Sequence, residues 1–383
     1  MNFEFATAGR ILFGVGTLRD VGALAAGLGL RALVMEGRSG RAEQLVSLLH
    51  GSGIATTSLR VAGEPTTAFV ELAAEHARNE RCELVVAIGG GSVIDAGKAV
   101  AALLTNLGPL RDYLEVVGRA QPLTERSAPL IAIPTTAGTG AEVTRNAVLM
   151  VEEERVKVSL RSPYMLPAVA LVDPELTYTL PSSLTASTGL DALTQCIEPF
   201  VAPQGNPLTD SVAREGMHRA AGALRRAVRD GSDLEARSDM ALASLCGGLA
   251  LANAKLGAVH GFAAPLGGMF PIPHGVACAR LLAPVVGVNV RALRARARTS
   301  PALERYDEAA RILTGRPDAR AEDGVACLRE LVEELRIPRL AEYGVGERDV
   351  PRVVEQARRA SSMQGNPIVL TDEEFAEILS TAI

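Results

Sequence analysis

Histidine is scarce in this 383-residue chain, which has only His50, His76, His218, His260 and His274. Two of them share an unusual setting. The run ANAKLGAVHGFAAPLGGMFPIPHGV carries His260 and His274, each followed by glycine, in small and apolar surroundings. Upstream, STGLDALTQCIE places Asp191 and Gln195 four residues apart, on one face of a helix. One carboxylate and two imidazoles make an N2O donor set with room for a substrate oxygen, which suits Zn2+ or Fe2+. The plainer alternative is an Asp191 that serves only as a carboxylate near a helix N-terminus, with the histidines as core residues. His50, His76 and His218 lie in polar helical contexts and receive no role.

A second kind of chemistry is suggested by glycine. The chain has 37 glycines, above the ~7% usual for proteins. The apolar run 84–88 leads directly into Gly89-Gly90-Gly91-Ser92, followed by Asp95 and Lys98. Bare backbone after a buried strand allows close approach of a ligand. Ser92 with Asp95 three residues on has the form of a capping box, so a helix is expected to start there with its N-terminus toward an anion such as pyrophosphate. The plainer alternative is a tight turn and a cap. LIAIPTTAGTGAEVT (130–144) repeats the arrangement, with Gly138 and Gly140 flanking Thr139 and hydroxyls on Thr135, Thr136 and Thr139. Two such loops at strand ends of one sheet suit two walls of a dinucleotide crevice. Neither GxGxxG after the first strand nor GxxxxGK[ST] occurs.

The elements that must position these groups fall into two halves. In 1–181, short aliphatic runs (31–35, 55–61, 84–88, 130–133, 147–150, 156–160 and 168–172) alternate with helical spacing at Arg41–His50 and Phe69–Arg78. That pattern predicts a mostly parallel sheet with helices on both faces. The stretch 147–160 reads as a β-hairpin with an acidic turn at Glu152–Arg155. After Leu180-Pro181 the strand signal ends, and Asp210–Arg229 and Glu235–Ala254 have helical periodicity. The expected fold is therefore α/β followed by all-α: a dinucleotide-binding domain over 1–181 and a helical metal-binding domain over 182–383.

Composition narrows the function classes. The net charge is −5 with no run of like charge, so no nucleic-acid partner is expected. Aromatics make up 3% with no Trp, against stacking platforms and aromatic cages. No uninterrupted apolar stretch reaches the ~18 residues of a membrane span, and the N-terminus lacks the pattern of a signal peptide. Five scattered cysteines without a CxxC pair suit reduced, mostly buried thiols in the cytoplasm.

Taken together, GGGSVIDAGK (89–98), PTTAGTGAEVT (134–144), LVDPELTYTLP (171–181), STGLDALTQCIE (187–198), NPLTD (206–210) and LGAVHGFAAPLGGMFPIPHG (256–275) resemble the iron-containing (group III) alcohol dehydrogenase family over essentially the whole chain. The resemblance implies a nucleotide domain and a helical domain, with metal and nicotinamide meeting between them. By resemblance, Gly90, Gly91, Ser92 and Asp95 hold the pyrophosphate and nearby ribose. Thr135, Thr136, Thr139 and Lys157 line the rest of the NAD or NADP site, and Thr177 and Leu180 lie near the adenine. Asp191, His260 and His274 fall on metal-ligand positions. The implied reaction is hydride transfer between a small alcohol and its aldehyde or ketone, in a homo-oligomer without membrane partners.

Two departures stand out. The family's fourth ligand, a His four residues after the Asp, is Gln195 here, a weaker donor toward a borderline metal. A further family His, assigned to proton transfer, is Ala264. A looser metal, a different metal, or three protein ligands plus water all remain open. Glu36 favours NAD, whereas Gly37 with Arg38 and Arg41 would admit the NADP 2′-phosphate. Three other readings stand beside the dehydrogenase: a dehydroquinate-synthase-like lyase, a degenerate metal-free nucleotide-binding protein, and a maleylacetate-reductase-like role, the last weakened by retention of Asp191. Substrate-pocket residues are expected from 146–151, 249–253 and 363–366.

Overall fold

The computed structural model describes residues 2–37, 40–154 and 156–383. Arg38, weighed above for cofactor choice, and Arg155 of the expected acidic turn lie outside them. The chain forms two compact units.

The first unit, Ala6–Thr136 with Gly140–Tyr178, contains every strand. These are β1 (Arg10–Phe13), β2 (Arg31–Glu36), β3 (Ala55–Arg60), β4 (Leu84–Gly89), β5 (Leu130–Pro134), β6 (Asn146–Val151), β7 (Val156–Arg161) and β8 (Val169–Val172). Six of them form one sheet in the order β1-β8-β5-β4-β2-β3, and each neighbouring pair is parallel. Strands β4 and β5 are buried throughout, as continuous apolar runs require in a sheet covered on both faces. One face packs on helices α1 (Val21–Ala26) and α2 (Ala42–Gly51). The other packs on α3 (Thr67–Asn79), α4 (Gly91–Thr105) and the four-residue α5 (Leu110–Tyr113). Each strand read from the sequence is present within a residue or two. Strand β1, a four-residue edge, was not anticipated.

The hairpin β6–β7 stands apart from the sheet and pairs antiparallel, Asn146 opposite Arg161. A buried polar knot fastens it to α4. Lys98 Nζ donates to Thr144 Oγ1 and to the Asn146 carbonyl, each at 2.8 Å, and lies 3.4 Å from Asp95 Oδ1. The other Asp95 oxygen accepts the Val148 N–H at 3.0 Å. Lys98 is thus a hairpin anchor, not the free cation its place near a helix start suggests.

The second unit is all-helical from Thr179 to Ile383, joined by the residues up to Phe5 and by Ala137–Thr139. Its helices are α6 (Ser182–Val201), α7 (Pro207–Arg229), α8 (Leu234–Asn253), α9 (Ala258–Met269), α10 (His274–Arg296), α11 (Pro301–Thr314), α12 (Ala321–Glu334), α13 (Val350–Arg359) and α14 (Asp372–Ala382). By length and composition α10 could cross a membrane, but 78% of that stretch is buried inside the protein, as in a core helix.

Near the Lys98 knot, Glu142 is 1% exposed and its Oε2 has no hydrogen-bond partner. Burial raises its carboxyl to about 7. A carboxyl raised in the fold gives stability that is fully present below its unfolded value of about 4.5 and lost as pH rises through about 7. Glu142→Gln is therefore expected to remove about 3 kcal/mol of the stability lost between pH 4.5 and pH 8. Urea unfolding across that range reads it; identical pH slopes in both proteins would refute it.

Candidate metal centre and cofactor loops

The centre is built on α6, whose inner face presents Asp191, Gln195 and Glu198, spaced four and three apart and all buried. His260 is the third residue of α9, and His274 is the first residue of α10. Gly275 makes this placement possible. A Cβ there would stand 2.8 Å from the Ser187 carbonyl oxygen, so only glycine lets the first turn of α10 lie against α6. One turn further along α10, Cys278 faces the same group.

Four donor atoms converge. His260 Nε2 and His274 Nε2 lie 3.4 and 3.8 Å from Asp191 Oδ1. Cys278 Sγ lies 3.5 Å from His274 Nε2 and 3.8 Å from His260 Nε2. All four atoms fall within 4.8 Å of one another, and no other such group of histidine, cysteine and carboxylate donors occurs among the described residues. Asp191, His260 and Cys278 are buried, while the His274 side chain is 38% exposed and gives the centre its open side.

Glu198 orients the arrangement. Its Oε2 accepts from His260 Nδ1 at 2.6 Å, and its Oε1 accepts the Val259 N–H at 2.7 Å. With Nδ1 carrying the proton, the Nε2 lone pair of His260 is directed into the cluster, as in carboxylate–histidine–metal arrangements. Helix α9 starts at Gly257, which has no side chain to cap it. Glu198 and Asn366, whose Oδ1 accepts the Ala258 N–H at 3.3 Å, take over that role.

The electrostatics favour a cation. Asp191 Oδ1 is buried without a hydrogen-bond partner, and the positive groups nearest it are the His260 and His274 imidazoles when protonated, at 3.4 and 3.8 Å; a bound cation would complete the carboxylate and leave both rings neutral. Among the described residues no Lys or Arg pairs with Asp191 or Glu198. Burial alone would push the Asp191 carboxyl up; the charges on His274 and His260 hold it below its ordinary value. For His260, burial pulls the imidazole down, but Cys278, Glu198 and Asp191 outweigh it and leave it well above the ordinary range.

Gln195 Oε1 is also buried and unpartnered, and it lies 3.5 Å from where a Cβ on Gly247 of α8 would stand. Ala264, one turn after His260, is exposed and offers no proton-transferring side chain. The unassigned His50 and His76 are held locally by Thr56 and Thr57. Sequence reasoning missed Glu198 and Cys278. Both carried a spacing signal, seven residues after Asp191 and four after His274.

Gly90, Gly91, Ser92, Thr135 and Thr136 follow the carboxyl ends of the parallel strands β4 and β5, where ligands bind in such sheets. Gly90 is the N-cap of α4 in extended backbone, and no side chain caps the helix. The capping box expected from Ser92 and Asp95 does not form: the N-cap is Gly90, which places Ser92 inside the first turn, and the Asp95 carboxylate meets Val148 and Lys98. The first turn of α4 keeps its N–H groups clear of side-chain oxygens. Thr136 lies 3.5 Å from where a Cβ on Gly90 would stand, and the Thr135 N–H donates to the Gly89 carbonyl at 2.9 Å. Gly140 has φ +58°, a left-handed turn that favours glycine.

The remaining candidates are held locally. Lys157 Nζ pairs with Glu64 at 3.1 Å, Thr177 Oγ1 donates to the Pro174 carbonyl at 2.8 Å, and Glu36 faces Arg60 at 3.7 Å. In the helical unit, the Leu180 carbonyl accepts from buried Arg237; Thr139 belongs to this unit with Ala137 and Gly138, and a Cβ on Gly138 would meet Thr188. Of the expected pocket segments, Asn366 is committed to a reciprocal amide pair with Asn289, and Asn253 to the Leu249 carbonyl.

Comparison with known proteins gives a consistent result. Residues 8–174 match the model of iron-containing alcohol dehydrogenase, and 185–383 match that of the Fe-containing alcohol dehydrogenase family, C-terminal. Alcohol dehydrogenase 4 of Schizosaccharomyces pombe is 40% identical over 320 residues, 83% of this chain and 73% of that one. A 1,3-propanediol oxidoreductase structure superposes with a TM-score of 0.93 at 34% identity, covering all of both chains. A sulfoacetaldehyde reductase from Bifidobacterium kashiwanohense, solved in complex with NAD+, superposes at 0.87 with 30% identity, covering 100% of this chain and 99% of that one.

The Glu198 contacts predict an effect on metal binding. Glu198→Ala is expected to lower metal affinity by about 10–100-fold, read by competition with a chromophoric chelator. An unchanged affinity would remove Glu198 from this role.

Proposed function

The chain belongs to the iron-containing alcohol dehydrogenase family, and on that premise we propose how its residues divide the work. It is a metal-dependent, NAD(P)-linked oxidoreductase of alcohols and aldehydes. In our reading the substrate is a small alcohol and its aldehyde or ketone. Residues 1–181 bind the nucleotide and 182–383 carry the metal. The observation that carries the reading is the unpartnered Asp191 Oδ1, buried beside two imidazole Nε2 atoms.

Asp191, His260 and His274 would hold the divalent cation, with Gln195 as a further candidate from the same helix face. When bound, the metal supplies Lewis acidity that eases deprotonation of an alcohol or polarises a carbonyl, and the nicotinamide accepts or gives the hydride. Glu198 keeps His260 in the tautomer that presents Nε2. Burial of Asp191 and His260 excludes water from their side of the centre, so substrate approach falls to the His274 side. Ala264 cannot take up a proton, which leaves water or a ribose hydroxyl as the exit.

The uncapped first turn of α4 at Gly90, Gly91 and Ser92 fits the pyrophosphate, with Asp95, Thr135, Thr136, Thr139 and Lys157 around the rest of the cofactor and Thr177 and Leu180 near the adenine. Choice between NAD and NADP is assigned to the end of β2, at Glu36 and beyond. Five free cysteines support a reducing cytoplasmic setting, and a homo-oligomer completes the reading.

Absorbance at the reduced-nicotinamide band tests this, with a panel of small alcohols and aldehydes, both cofactors, and added Fe2+ or Zn2+. Net oxidation or reduction is expected. A lyase that recycles its NAD gives no net change, and a degenerate nucleotide-binding protein gives neither turnover nor bound metal. Asp191→Ala and His274→Ala are each expected to lower turnover by at least about 10³-fold, the scale of losing several kcal/mol of charge stabilisation. Cofactor binding, followed by fluorescence, should be retained. Full turnover by metal-free His274→Ala would overturn the mechanism.

A further inference from the structure

We infer that Cys278 is a metal ligand in this chain, completing an Asp191–His260–His274–Cys278 donor set in which a thiolate stands where Gln195 departs from the family's imidazole. The inference rests on the metal-binding reading above and concerns which side chains of this chain meet the ion.

The distances carry it. For bond lengths of about 2.0–2.1 Å to nitrogen and oxygen and about 2.3 Å to sulfur, a tetrahedral site has N···O edges of about 3.3–3.4 Å and N···S edges of about 3.5–3.6 Å. The observed N···O separations are 3.4 and 3.8 Å, and the N···S separations are 3.5 and 3.8 Å. Cys278 Sγ therefore sits from both imidazoles about as far as a shared ion would set it.

A second observation concerns the carboxylate. The Asp191 carboxylate is 1% exposed, and its Oδ1, the atom nearest both imidazoles, has no hydrogen-bond partner. A buried carboxylate oxygen beside two imidazole nitrogens marks the space between them as a cation site, and Cys278 Sγ borders that space.

Gln195 differs in chemistry, offering a neutral amide oxygen where the thiol can offer an anion. Its side chain runs along Gly247 of α8, with Cβ at 3.0 Å and Oε1 at 3.5 Å from the position a Cβ there would take. Its Oε1 has no hydrogen-bond partner. A neutral amide oxygen is also the poorer donor for a borderline cation. Of the other cysteines, Cys196 turns its sulfur to the Ala243 carbonyl and Cys327 to that of Leu313.

Coordination converts the thiol to a thiolate and releases one proton to solvent. Two formally anionic ligands, Asp191 and Cys278, then balance a divalent charge. Sulfur donation shifts preference toward Zn2+ and away from Fe2+. His274, on the exposed side, leaves an approach along which coordination can expand to five.

The test uses the full-length protein loaded with Co2+ in place of its metal. Wild type is expected to show a sulfur-to-cobalt charge-transfer band in the near ultraviolet. Cys278→Ser should lose the band and bind Zn2+ at least about 10²-fold more weakly, whereas Gln195→Ala should keep the band. Offered equal Zn2+ and Fe2+, wild type should take up mainly Zn2+, and Cys278→Ser should lose that preference. Absence of the band in wild type overturns the inference without reliance on any variant. So does a band that survives Cys278→Ser. A cobalt or zinc protein that oxidises alcohols but lacks the band leaves the dehydrogenase reading standing and removes Cys278 alone. A protein with the band but no turnover on any alcohol does the reverse.

Discussion

The proposed metal centre depends on one buried carboxylate that belongs to two structures at once. Glu198 stabilises the start of α9 through the Val259 N–H and fixes the tautomer of His260 through Nδ1. The two duties reinforce each other. The helix start sets where His260 stands, and the Nδ1 contact sets which way its ring faces. Such charge-assisted bonds are strong in a low-dielectric interior, and the same interior makes the loss of either partner expensive. A neutral cap could seat the helix, but it could not also support the basicity of a metal-binding imidazole.

The α/β half uses buried charge differently. Lys98 and Asp95 hold a hairpin on a helix, and the first turn of α4, with Gly90 at its N-cap, has no side-chain cap. A helix start made of glycine is entropically costly and would be improved by serine or aspartate at the cap. The cost is consistent with a turn whose free N–H groups serve an anionic ligand instead. In both halves, then, the proposed sites fall at helix N-termini. One is capped from a distance to hold a histidine, and the other is left open.

Much of this was legible in the sequence because buried parallel strands are continuous aliphatic runs and core helices are periodic. Strand β1 was not, since four residues with partly exposed side chains carry little local signal and their partner β8 lies far along the chain. The Ser92–Asp95 pair was misread for the opposite reason. Its spacing suits a cap, but the helix starts earlier, with Gly90 at the N-cap, and the Asp95 carboxylate turns to Val148. Asp191, His260 and His274 could be singled out by type and setting. Cys278 and Glu198 had helical spacing from them, yet a buried thiol and a carboxylate late in a helix are ordinary until three helices are seen to converge.

The Asn366 side chain, paired with Asn289 and accepting the Ala258 N–H, gives the helical half a particular order of events. Its partner on α9 is 108 residues away in the chain. During synthesis the chain emerges from its N-terminus, so α6, α9 and α10 all precede the residue that completes the seat of α9. The histidines and the carboxylate are thus available to collapse together well before their geometry is finished. Contacts of such long range close late, after the loop between them has been ordered. The ion site is in that sense a product of the whole helical half, and a nascent chain lacking its last few dozen residues carries the ligands without the fit.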